Sequence, residues 1–149
     1  MSEQVVADST ILIGLERIQR LGLLPALFGT VLIPPEVERE FGISYDWLSV
    51  EVPTNPAAIE TLKLVVDDGE AEAIGLAVER QLRIILDDRQ ARTVAKRLGL
   101  KVIGTVGCLL RAKQTGLIVA VKAEIEALES AGFYLSDALK AEGLRLAGE

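Results

Sequence analysis

A few acids in this 149-residue chain have the types and spacing to do chemistry together. The apolar run Val5-Val6-Ala7 ends at Asp8, and Ile84-Ile85-Leu86 stops at the pair Asp87-Asp88. Each run reads as a short buried strand, so these acids stand at strand carboxyl ends, where open α/β sheets place their ligands. Two more carboxylates continue the apolar faces of helices. Glu40 neighbours Val37 and Phe41, and Glu70 lies one turn before Ile74. Such carboxylates sharing one crevice raise one another's pKa values unless a cation stands among them. Oxygen donors without histidine suit a hard cation, Mg²⁺ or Mn²⁺. The chemistry expected of that site is in-line phosphoryl transfer by a metal-activated water.

Plain structural roles compete with this reading. Asp8 or Ser9 would serve equally as a helix N-cap. The helix dipole alone favours a carboxylate at the position of Glu70. The chain has no histidine and one cysteine, which excludes a Cys/His zinc site, an internal disulfide and every histidine-based nucleophile. Cys108 reads as a small core residue.

The elements that must position the acids follow from periodicity. Thr30 to Ile33 reads as a second strand and Asp46 to Pro53 as an edge strand, with Trp47 a packing residue. Gly22 to Gly29 reads as a connection around Pro25. Pro34-Pro35 opens a helix, in which Glu36 and Glu38 face water. Pro56 to Val66 carries a stripe of Ile59, Leu62 and Val66; Asp67 to Glu70 breaks it, and Ala71 to Gln81 forms the next helix with Ile74, Ala77 and Val78 inward. Ala91, Val94, Ala95 and Leu98 make the buried stripe of another helix, ended by Gly99, and Lys101 to Gly104 is a further short strand. After Thr105 the chain is helical over Val106 to Thr115, about Ala120 to Ser130, and Ser136 to Leu146, with Ser136 a cap; these helices carry no obvious chemistry and cover the sheet or pair with another subunit. The fold class is α/β, a three-layer α/β/α arrangement around a central, mostly parallel sheet of four or five strands. Residues 1–149 read as a single domain, with helices about 120–147 packing on it or at a dimer interface.

Net charge is −6, yet from Arg80 to Lys113 nine basic residues face only Asp87 and Asp88. Arg89, Arg92 and Lys96 repeat at helical spacing opposite the apolar stripe and begin beside the aspartates. That face would track phosphates, and it would equally serve as an ordinary solvated surface. No leader is evident and no apolar run approaches the ~18 residues of a membrane span, so the expected setting is cytoplasmic.

Along essentially its whole length the chain resembles PIN domains, and more narrowly the small VapC-type toxin ribonucleases. The specific segments are VVADSTILIGL, GEAEAIGLA and IILDDRQARTVAKRLGLKVIGT. The resemblance implies a metal-dependent RNA endonuclease that leaves a 5′-phosphate and a 3′-hydroxyl. Asp8 matches the family's first acid, Glu40 the second and Glu70 the third, where Asp is usual. Asp87 and Asp88 span the fourth. Thr10 stands where the family commonly has Ser or Thr near the metal. On that footing Asp8, Glu70 and Asp87 or Asp88 would hold Mg²⁺ or Mn²⁺, Glu40 would position the attacking water, and Arg89 and Arg92, with Lys96 on the same face, would bind RNA. A cognate antitoxin and a homodimer are implied as partners. Two other readings exist: a catalytically silent PIN-like module that binds nucleic acid or protein, and a receiver-like phosphoacceptor, which the lack of a lysine at the end of the last strand disfavours.

Overall fold

Apolar triplets closed by acids or turns make strands of two or three residues, long enough for one row of side chains on each face. The computed structural model describes residues 3–149. Among them, Val5–Ala7 (β1), Val31–Ile33 (β2), Leu48–Val50 (β3), Arg83–Ile85 (β4) and Val102–Ile103 (β5) form one sheet. Its order is β3-β2-β1-β4-β5 and every pairing is parallel. The helices are Ser9–Arg17 (α1), Leu23–Phe28 (α2), Pro35–Phe41 (α3), Pro56–Leu62 (α4), Asp68–Arg80 (α5), Arg89–Arg97 (α6), Thr105–Gln114 (α7), Val121–Ser130 (α8) and Asp137–Leu146 (α9).

Alternation along the strands divides the core in two. Val5, Ala7, Val31, Ile33, Ile85 and Ile103 turn to one face and pack on α1, α2 and α3. Val6, Leu32 and Ile84 turn to the other, against the small-residue face of α5 (Ala73, Ala77) and against Ala91 and Ala95 of α6. Because both faces are covered there, the central strand β1 and its neighbour β2 are apolar and buried throughout, as a buried parallel sheet requires. This is the expected α/β/α architecture. Strand order reverses at β1, whose neighbours are β2 on one side and β4 on the other. A crevice therefore opens where the chain leaves β1 and β4, at Asp8 and Asp87.

Several boundaries differ from expectation. Gly22 to Gly29 is mostly the short helix α2; Pro25 sits in its first turn, where no backbone donor is needed, and Gly29, at φ 82°, ends it. The helix from Pro56 stops at Leu62, and tight turns carry the chain to Asp67. Asp67 to Glu70 do not merely break structure, because α5 begins there. The Asp67 carboxylate accepts from the Glu70 N–H at 2.7 Å, and the Glu70 carboxylate accepts from the Asp67 N–H at 3.1 Å, a reciprocal capping box. Val78 and Leu98 are 42% and 49% exposed rather than core. Helix α6 ends at Arg97, and Gly99, at φ 85°, turns Leu98 off the buried stripe. Cys108 is buried as expected, and burial pushes its thiol up to about 12.

The last three helices are tied at one point. Ile125 and Leu128 of α8 pack with Leu109 and Ala112 of α7. Ser136 caps α9 through the Leu139 N–H at 3.1 Å. Glu149 returns to the start of α8, accepting from the Val121 and Lys122 N–H groups at 2.7 and 3.0 Å and pairing with Lys113 at 2.9 Å. The Lys113 ammonium and these two amides hold its carboxyl down from 4.5 to about 2. A depressed carboxyl adds stability above its unfolded pKa, and that stability is lost as pH falls through the folded value. Glu149→Ala should therefore melt lower than the parent at pH 7, and the two curves should converge near pH 2. Equal melting temperatures at pH 7 would mean the clamp contributes nothing.

Candidate metal centre

Each acid reaches the crevice on a different element. Asp8 follows β1 and is 6% exposed. It occupies the N-cap position of α1, yet its side chain makes no capping hydrogen bond to the helix, so the plain cap reading does not account for it. Of the acids on α3, Glu36 pairs with Arg39 and Glu38 lies in solvent. Glu40 accepts the Ser9 hydroxyl at 3.4 Å, and a Cβ placed at Gly69 would collide with its Oε1. Gly69 thus lets α3 lay Glu40 against the start of α5. Glu70, 7% exposed, sits in the first turn of α5 beside Asp67.

The two aspartates after β4 part company. Asp87 is half-buried and accepts from the Thr105 N–H at 2.8 Å and the Thr105 hydroxyl at 2.6 Å. Asp88 is exposed and caps α6 through the Ala91 N–H at 2.9 Å. Each keeps further lone pairs for another partner.

Burial and mutual repulsion act on these groups together. Burial raises Asp8 from 3.8 to about 7, with repulsion from Asp67, Glu40 and Asp87 adding to it and the Ser9 N–H opposing. Glu70 rises from 4.5 to about 7, again mainly by burial, against the Asp67 N–H and with Asp67, Asp88 and Asp8 adding repulsion. Glu40 is raised too, by desolvation and then by Asp67. Sequence reasoning missed Asp67, which is common to all three. Its signal was the spacing Asp67-x-x-Glu70, read as a helix break. Ser9 and Thr105, the hydroxyl donors to Glu40 and Asp87, were also missed. Thr10 is exposed and lines a cavity with Asp87 and Asp88.

The basic face is smaller than the spacing implied. Arg92 folds back to donate from Nη1 to the Leu86 carbonyl at 2.8 Å, fixing the end of β4. Arg80, Arg83, Arg111 and Lys113 pair with Glu51, Glu3, Glu3 and Glu149. Arg89 and Lys96 remain exposed. Gly104 fits beneath this corner: a Cβ there would lie 2.9 Å from Arg92 Nη1 and 3.1 Å from Asp87 Oδ1. Its backbone, at φ −98° and ψ 179°, accepts alanine, so Gly104→Ala tests crowding alone. It should cost about 1–3 kcal/mol in chemical unfolding by overpacking and turn Asp87 away from Thr105. An unchanged unfolding midpoint would contradict that packing.

Asp8, Glu40, Asp67, Glu70, Asp87 and Asp88 offer carboxylate oxygens only, and among the described residues none forms an ion pair. An acid cluster with no internal cation fits a hard divalent ion in donor type and charge. Among the described residues no three acid side chains stand close enough together to grip one.

A family model described as PIN domain matches residues 4–149 of this chain. Among solved structures, a PilT N-terminus domain protein from the hyperthermophilic archaeon Sulfolobus solfataricus P2 is similar to it at 16% identity, covering 89% of this chain and 97% of that one with a TM-score of 0.43. No curated protein matches. Among the described residues no helix is long and apolar enough to cross a membrane.

Proposed function

This chain belongs to the PIN-domain family, whose members are generally nucleases, and from that premise we propose that it is a divalent-metal-dependent RNA endonuclease. The observation that carries the reading is the burial of Asp8 and Glu70 among mutually repelling carboxylates, with no ion-pair partner for either among the described residues. Both stay protonated to about pH 7 unless a cation is supplied. Asp8, Glu70 and Asp87 or Asp88 would hold Mg²⁺ or Mn²⁺, with Asp67 adding charge. When bound, such an ion supplies polarisation of a phosphoryl oxygen and acidification of water.

The chain's own groups have distinct work. Glu40, oriented by Ser9, accepts the proton of the attacking water. The water oxygen forms a bond to phosphorus as the bond to the 3′-oxygen breaks; that oxygen takes a proton from solvent and leaves as the 3′-hydroxyl, with a 5′-phosphate on the other product. Thr105 fixes Asp87, and Arg89 at the crevice rim draws in the phosphate. A cognate antitoxin, a homodimer, a cytoplasmic setting and a single-domain organisation belong to the same proposal.

The test is cleavage of a mixed single-stranded RNA in EDTA, Mg²⁺ or Mn²⁺, with melting temperatures recorded alongside. Metal-dependent cleavage and a metal-induced rise in Tm are expected. A protein that gains neither is a silent binding module instead.

A further inference from the structure

Beside the acids runs a cavity of about 600 Å³ whose far wall is built from the loop between α8 and α9. Thr10, Asp87, Asp88 and Arg89 line one end, and Leu128, Phe133, Tyr134 and Leu139 line the other. One aromatic is fixed. Gly14 has no side chain, so Leu128 and Phe133 lie directly on α1; a Cβ there would stand 3.3 Å from Leu128 Cδ2 and 3.6 Å from the Phe133 ring. The Arg17 guanidinium covers that ring at 5.3 Å. The other aromatic is free. Tyr134 is 79% exposed, and among the described residues its ring stacks on no other aromatic.

We propose that this cavity takes an unpaired nucleobase, that of the nucleotide flanking the scissile phosphate, with Tyr134 stacked on its face. The position relative to the cut rests on the nuclease reading; the stacking does not. The cavity's two ends argue for a nucleotide. An exposed aromatic and apolar side chains offer a surface for a flat ring, and Arg89, which pairs with no acid among the described residues, offers a cation for the attached phosphate. A base inside a duplex cannot enter, because its faces are already stacked, so the site selects single strands, bulges or loops.

The test reads position 134 directly. In a Trp47→Phe/Tyr134→Trp protein the only tryptophan lies at the cavity mouth. It is titrated in EDTA at low salt with oligouridylate, oligoadenylate, their deoxy counterparts and a hairpin-free duplex. Saturable quenching by single strands and none by duplex is expected. In parallel, Tyr134→Ala should weaken binding of a dye-labelled single-stranded RNA about tenfold or more, while Tyr134→Phe stays within about twofold because it keeps the ring. Equal quenching by the deoxy series would leave the base site standing and assign sugar discrimination elsewhere. Absence of quenching, or equal RNA affinity for Tyr134→Ala and the parent, overturns the proposal and leaves the cavity to a protein segment. Cleavage by the parent protein is scored separately. Stacking without cleavage removes the nuclease reading alone, and cleavage without stacking removes the base site alone.

Discussion

Asp8→Asn should abolish metal-dependent cleavage and yet make the metal-free protein more stable. Loss of a metal ligand is expected to cost about a hundredfold or more in rate, since even partners one shell further out typically cost 10–100-fold. The gain in stability follows from burial. Below about pH 4 Asp8 is protonated whether the chain is folded or not, and it contributes nothing to pH dependence. Between about pH 4 and 7 the unfolded chain releases this proton and the folded one retains it, so stability falls as pH rises. Above pH 7 the full penalty is present, on the order of 4 kcal/mol for a carboxyl moved from 3.8 to about 7. Asparagine carries no such penalty. Melting in EDTA should show the variant above the parent at pH 8 and close to it at pH 4. An asparagine protein that still cleaves, or that melts lower at pH 8, would remove Asp8 from the site.

The second large effect separates two roles of one residue. Glu70 is both a partner in the α5 capping box and a buried member of the acid cluster. Glu70→Gln keeps an oxygen that can accept the Asp67 N–H but carries no charge. Cleavage and metal affinity should fall about a hundredfold while the fold in EDTA holds. Asp67→Ala should lose the cap, at a cost of about 1 kcal/mol, partly offset by relief of repulsion on Asp8 and Glu70. The pH profile adds a second readout. On the proposed function Asp8 and Glu70 would both surrender protons to a bound cation, so metal-stimulated cleavage should drop steeply below about pH 7, with a slope near two per pH unit. If Glu70→Gln cleaves like the parent, Glu70 is a cap and nothing more.

The strand ends were the legible part of this molecule. Val5-Val6-Ala7-Asp8 and Ile84-Ile85-Leu86-Asp87 announce themselves because an apolar run that halts at an acid marks the point where a buried strand leaves the sheet. The same periodicity identified Val37 and Phe41 as the buried side of α3, which aimed Glu40 at the crevice. What stayed hidden depends on contacts between distant segments. Asp87 and Thr105 meet only because β4 and β5 pair. Arg92 has the spacing of a solvated face, and only the nearby Leu86 carbonyl turns it inward. Asp67 looked like a helix breaker because a capping box uses the same residues that end helices. Phe133 and Tyr134, which fall between two helices read as carrying no chemistry, line a cavity with Asp87 because Gly14 lets their loop settle on α1.

The parallel pairing of β1 with β4 bears on when the protein becomes competent during its synthesis. Val5 is made well before Arg83, its partner across the sheet. Until that strand has left the ribosome, Asp8 has no Asp87 opposite it, and Asp87 in turn waits for Thr105. Closing so long a loop is slow compared with forming the local helices. A nascent chain holding α1 to α5 therefore carries Asp8, Glu40, Asp67 and Glu70 without the crevice that unites them. Competence arrives as one event, after translation has passed Thr105.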